Sequence, residues 1–232
     1  MHRLWHFRLC GRSRSIRLAL GELAVGFELA DEEPWAWRPT FMALNPAGEL
    51  PVLEMDNGLL LSGSYAISEY LAEHVIAERV DNRKVALFPG NLEERSEVRR
   101  LVDWFHRKFD REVTRELLHE KVYSRQKPDT DAQTPNADIL RAIRSNLRYH
   151  MSYLSFLGHQ RRWLAGEEMS FADLAAASHL SSLDYLGEVP WADYPVVKAW
   201  YTRIKSRRPF RAILADRIPG LPVPAHYADL DF

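Results

Sequence analysis

Residues 45–67 set a turn, a hairpin and a helix start in one short span, and that density leaves the N-terminal third of the chain few folds to adopt. Asn45-Pro46-Ala47-Gly48 has turn chemistry. Pro51 follows Leu50 at a strand edge, where the small cis penalty of an X-Pro bond makes a sharp bend feasible. Val52–Met55 and Leu59–Leu61 flank Asp56-Asn57-Gly58, so the spacing predicts a hairpin. Ser64 opens a helix predicted over 64–75, and the free N–H groups and positive dipole end there favour a carboxylate. Upstream, Arg3–Phe7 alternates like a strand, Ser13–Leu23 places Ile16, Leu20 and Leu23 on one helical face, and Gly26–Leu29 begins a second strand.

Strand, helix, strand, irregular segment, hairpin, helix is the order of a thioredoxin-like α/β domain, predicted over residues 1–79. Residues 80–91, with Phe88-Pro89-Gly90, read as a linker. Everything later reads as helix. A segment over 93–122 is followed by a polar break over 124–136, and a long helix from Asp138 carries Ile139, Ile143, Leu147, Met151 and Leu154 at three-to-four spacing. Ser170-Phe171-Ala172-Asp173 is a capping-box start for a central helix over 174–185, and a further helix runs over 195–207. The expected fold class is therefore α/β plus all-α, with an all-helical domain over 92–215, its core complete by Leu214, and a Pro-rich extended tail over 216–232.

At 232 residues the chain is long enough for two domains with proper cores. A formal net charge of −1 argues against nucleic acid as a partner. No stretch approaches the ~18 apolar residues of a membrane span, and no signal-peptide block follows the N-terminus. A single cysteine, Cys10, excludes an internal disulfide framework and fits a reducing cytoplasm. The nine histidines show no metal-ligand spacing beyond the strand pair His2 and His6, so no metal is expected.

With both halves read, the chain resembles the soluble glutathione transferases in its turn, capping box and domain order. The resemblance implies a cis bond at Pro51, backbone pairing of Val52 with an extended peptide such as glutathione, and a ligand carboxylate at Ser64. Two polar contacts of that pattern are missing. The residue before the serine is usually acidic and holds the ligand's ammonium group; here it is Gly63. A donor toward the second carboxylate is replaced by Glu49, an anion expected to repel it. Asp103 is an alternative acidic group that would act from a partner subunit. No cofactor is expected, glutathione binding being weak or absent. Trp104-Phe105, Glu116–Val122, Trp163-Leu164-Ala165-Gly166 and the ending Pro219–Phe232 are similar to a bacterial subgroup of the family that includes a cell-division protein binding FtsZ filaments. That likeness implies a non-catalytic homodimer in the cytoplasm at the division site, with FtsZ as partner.

Cys10 stands where transferases place a catalytic residue, before the first helix, with Arg8, Arg12 and Arg14 nearby. One reading is a thiolate serving a glutathione transferase or thiol reductase; the other is an idle thiol. The arginines read as a solvated helix face, as does the cluster Arg203, Lys205, Arg207, Arg208 and Arg211. Trp35 and Trp37 sit in a Pro-bounded loop and are either interface anchors or fasteners of that loop. Pro219, Pro222 and Pro224 favour an extended path leading to Tyr227, Asp229, Asp231 and Phe232. Those four are candidate partner contacts, with docking on the chain's own helical domain as the alternative.

Overall fold

The computed structural model describes residues 1–77, 86–126 and 134–230, without the side chains of 74–77. Four strands, β1 (His2–His6), β2 (Phe27–Asp31), β3 (Val52–Glu54) and β4 (Leu60–Ser62), form one sheet in the order β2-β1-β3-β4. β1 and β2 run parallel, joined by the crossover helix α1 (Gly11–Glu22), while β3 is antiparallel to both β1 and β4. The predicted hairpin pairs Val52 with Ser62, Leu53 with Leu61 and Glu54 with Leu60. Gly58 takes φ +83° in its turn, a conformation open to glycine at little cost.

The irregular segment contains a short helix, α2 (Pro39–Leu44), with proline in its first turn; six residues are too few to show a periodic signal. α3 (Ser64–Ala77) follows the hairpin. The predicted linker falls partly outside the described residues; its last part, Leu87 and Phe88, is buried in the core.

The second half opens with a continuous helical rod over 92–126. It comprises α4 (Leu92–Asp103), a widened π-type stretch (Trp104–Thr114), α5 (Arg115–Leu118), a second π-type stretch (His119–Tyr123) and α6 (Ser124–Gln126). Asn91 and Glu94 form a reciprocal capping box at its start. The rod thus runs into the polar break expected from Ser124, through Gln126; residues 127–133 of that break lie outside the described residues.

α7 (Ala137–Gln160) buries Ile143, Leu147, Met151 and Leu154. α8 (Phe171–Tyr185) is buried along its whole length and is capped by the predicted Ser170–Asp173 box. α9 (Pro195–Lys205) and α10 (Phe210–Leu214) complete the helical layer. α1 lies directly on α8, so closely that a Cβ on Gly11 would sit 2.4 Å from His179 Nδ1. This close approach of the two helices fixes how the sheet faces the helical domain.

Candidate functional site

The bond between Leu50 and Pro51 is cis, the Pro51 carbonyl accepts from Gly63 N–H at 2.9 Å, and Ser64 stands at the first turn of α3. Val52 lies between β1 and β4, its side chain fully buried. Gly63 adopts φ +86°, and the space where its Cβ would lie is open. The cis bend at Pro51 and the helix start at Ser64 that the resemblance implies are present, while Val52 is paired on both sides within the sheet.

Cys10 precedes α1, with 9% of its surface exposed; its carbonyl accepts from Arg14 N–H at 2.9 Å. Of the neighbouring arginines only Arg14 is buried; Arg12 and Arg8 each keep part of their surface in solvent. Arg8 donates to Asp31 at 2.9 Å, Arg12 to Glu49 at 2.8 Å, and Arg14 is fully buried among Arg8 O, Ser181 and Asp216. Arg12 Nε also stands 3.8 Å from Asp110 Oδ2. Burial pushes the Asp110 carboxyl up, with Arg12 opposing that shift. Arg8 and Arg12 are thus each matched by a carboxylate of this chain, while Arg14 shares Asp216 with Arg17.

The same geometry corrects the reading of Glu49 as a repelling anion. Its charge is compensated by Arg12, and its loop is pinned by Asn45, whose Nδ2 donates to Glu49 O at 2.8 Å. Asp103 is likewise engaged, accepting from Arg107 at 2.6–3.1 Å, a bond that lowers its pKa.

The two tryptophans separate. Trp35 packs against Phe7 at 5.3 Å and Tyr123 at 4.9 Å, joining the α/β half to the helical rod. The Tyr123 phenol is pushed up by burial and then by the neighbouring Cys10 and Asp110. Trp37 is 64% exposed with φ +48°, and its ring crosses Gly48 so closely that a Cβ there would lie 2.8 Å away. Arg38 clamps its loop to Glu32, which is buried. Trp37 is therefore an exposed aromatic on a tethered loop, while Trp35 fastens that loop.

Of the two readings of the tail, docking on the chain's own helical domain describes Tyr227. Tyr227 is fully buried, edge-on to Tyr185 at 5.2 Å, and its hydroxyl donates to Ile213 O at 3.2 Å. It is not available as a surface contact in this conformation, and the helical core is not complete at Leu214. Asp229 is exposed; burial lowers the Lys205 pKa, and Asp184 and then Asp229 oppose that shift. Asp231 and Phe232 lie outside the described residues. The basic cluster is also largely structural. Lys205 is buried and donates to His226 O at 3.1 Å, Arg207 grips Glu22 at 2.5 and 2.6 Å, and Arg203 stacks over Trp163.

One arrangement carried no sequence signal. Ser15 donates to Arg12 O at 2.7 Å, so its oxygen accepts from His106 Nε2 at 3.2 Å. That tautomer leaves His106 Nδ1 to accept from His179 Nε2 at 3.1 Å, and His179 Nδ1 then accepts from Thr114 at 2.9 Å. The result is a one-directional buried chain under Arg12. Burial drives His106 down to about 3, with Arg12 adding to it. Among the described residues no group of three His, Cys, Asp or Glu side chains is placed to hold a metal ion, and no helix is long and apolar enough to cross a membrane.

Comparison with known proteins agrees with this architecture. Residues 4–78 match the glutathione S-transferase N-terminal domain and residues 120–208 its C-terminal domain. The chain is 45% identical to FtsZ-localized protein A of Caulobacter vibrioides, over 99% of this chain and 97% of that one. The solved structure of FzlA from C. crescentus superposes with a TM-score of 0.91 at 44% identity, covering 100% of this chain and 99% of that one. A structure titled a glutathione S-transferase from Sinorhizobium meliloti 1021 gives 0.93 at 45% identity, covering 100% of both. On matches to both domains and an end-to-end relative, this chain belongs to the glutathione S-transferase family.

Proposed function

We propose that this chain is a non-catalytic protein of glutathione-transferase fold that binds FtsZ and acts in bacterial cell division, at the division site in the cytoplasm. The observation that carries the reading is its likeness along 99% of its length to a protein named for its localisation with FtsZ. The charges at the site support it. The missing acidic group at Gly63 and the internal pairing of Arg12 with Glu49 leave the glutathione ledge without its two charged contacts. Trp37 is the best contact for the filament, because an exposed tryptophan on a tethered loop loses little freedom on binding. Asp229, at the exposed end of the tail, is a second contact.

The protein acts as a homodimer in this reading. Leu59, Leu60, Tyr65 and Leu92 are apolar and exposed around the β4–α3 edge and the start of the rod, and they supply area for a second copy. The alternative is a glutathione transferase or thiol reductase using Cys10, Val52 and Ser64, favoured by the likeness to structures titled as transferases and by the intact cis-Pro51 ledge. Calorimetry with glutathione beside a pelleting assay with FtsZ polymer separates the two. Micromolar glutathione binding without co-pelleting selects the enzyme; co-pelleting unaffected by Cys10→Ser selects the binding protein.

A further inference from the structure

The α1–β2 turn and the short turn between α9 and α10 meet across the domain boundary, at the end of α1 away from Cys10. Gly21 permits the contact: a Cβ there would lie 2.7 Å from Pro209 Cβ. Beside it opens a cleft of about 680 Å³, lined by Arg17 and Glu22 of α1, by residues 24–27 and by residues 207–209 with Ala212. That volume falls within the ~300–1,000 Å³ of small-ligand sites, which favour boundaries between domains. Neither Cys10 nor the cis bend at Pro51 borders it.

The charges around the cleft do not balance. Arg17, buried, donates to Asp216 at 2.7 and 3.0 Å and to Ala212 O at 3.2 Å. Arg14, also buried, reaches the same carboxylate at 3.3 Å, so two guanidinium groups share one negative charge. Asp31, whose charge also reaches Arg17, is matched by Arg8 at 2.9 Å. At the lip, Arg207 is spent on Glu22 of the other domain at 2.5 and 2.6 Å. Arg208 beside it is exposed, and among the described residues its guanidinium forms no hydrogen bond or ion pair. With the pairs cancelled, one positive charge is left over beneath the cleft and one at its rim. The walls between them are apolar: Val25, Phe27 and Pro209 line the cleft half-buried. Gly26 leaves the space before them open, since a Cβ there would have no neighbour within 4 Å.

We propose that this interdomain cleft binds a small organic oxyanion, a phosphate or carboxylate on a flat apolar body, with Arg208 pairing the headgroup, the excess charge at Arg17 and Arg14 attracting it, and Val25, Phe27 and Pro209 covering the body. Guanidinium groups suit such headgroups because their fork of N–H donors matches two oxygens at once. A ligand seated there touches both domains, so its binding raises the stability of their union. The site is independent of the FtsZ reading, which places its contact at Trp37.

The test uses the full-length chain, with phenyl phosphate and benzoate as probes and inorganic phosphate as the headgroup alone. Amide shifts in nuclear magnetic resonance locate the binding and their titration measures it. At least one aromatic probe should shift residues 21–27 and 207–212 and saturate, and inorganic phosphate should bind about tenfold more weakly or worse, lacking the apolar body. Arg208→Glu, a change at an exposed residue, should weaken the aromatic probe about tenfold or more. Gly26→Trp, which fills the open space, should abolish its binding, with circular dichroism reporting the fold of both variants; if Gly26→Trp does not fold, Arg208→Glu decides. Undiminished binding in folded Arg208→Glu overturns the proposal. So do shifts confined to the surroundings of Cys10, the absence of saturable shifts with either aromatic probe, and inorganic phosphate binding as tightly as they do.

Discussion

At the level of single residues, charge pairing decides what the ledge can hold. Glu49→Lys sets a cation against Arg12 and removes that residue's 2.8 Å partner, so it should lower stability by about 1 kcal/mol or less, the pair being partly exposed, and bring no glutathione affinity. Gly63→Glu restores the missing anion at a backbone φ of +86°, which costs a side-chain residue about 1–2 kcal/mol; calorimetry should show at most weak binding in the double variant, and micromolar affinity would refute this account of the site. The histidines predict an acid response. His106 takes a proton near 6.5 when unfolded and only near 3 when folded, and His6 only near 4, both because burial disfavours the charge. Protons therefore favour the unfolded chain across that window, and stability, full above pH 6.5, should fall as pH drops, by roughly 1.4 kcal/mol per pH unit for each such group. His106→Gln should be less stable at pH 7, with Ser15 and His179 losing a partner, yet show a shallower acid slope in denaturant melts. An unchanged slope would remove His106 from the explanation.

At the level of elements, the prediction concerns the C-terminal segment over 216–230. Tyr227→Ala empties a buried aromatic site, and the loss should be about 3–5 kcal/mol. Removing residues 219–232 should cost at least as much, contrary to a core complete by Leu214; thermal melts of the truncated chain beside wild type check it, and an unshifted midpoint would contradict it. The difference shows where sequence reading stops. Strands, the hairpin and the Ser170–Asp173 capping box follow from neighbours within four positions, so turn chemistry and periodicity reveal them. Arg14 and Asp216 meet across 202 positions, and Ser15 and His106 across 91, with no local pattern to announce either pair. The same blindness made buried Arg14 look like part of a solvated face. For Tyr227 it left two readings open, partner contact and docking on the helical domain, and Tyr227 is found docked. The cis-Pro51 ledge was legible because its whole logic is local; the compensation of Glu49 by Arg12 was not, because the two lie 37 positions apart.

For the whole molecule, the architecture is that of a glutathione transferase, with the cis bend at Pro51 present and Arg12 paired with Glu49 within the chain. The proposed function makes exposed Trp37 the foremost contact for FtsZ. Trp37 is exposed, so Trp37→Ala should fold normally, and an aromatic anchor of this kind typically accounts for tenfold or more in affinity. The decisive measurement is co-sedimentation with assembled FtsZ polymer across a range of polymer concentrations, with circular dichroism on the same samples. The account predicts that the wild-type chain pellets with the polymer and saturates, that Cys10→Ser does the same, and that Trp37→Ala binds at least tenfold more weakly while keeping its fold. A folded wild-type chain that stays in the supernatant at every polymer concentration would contradict it.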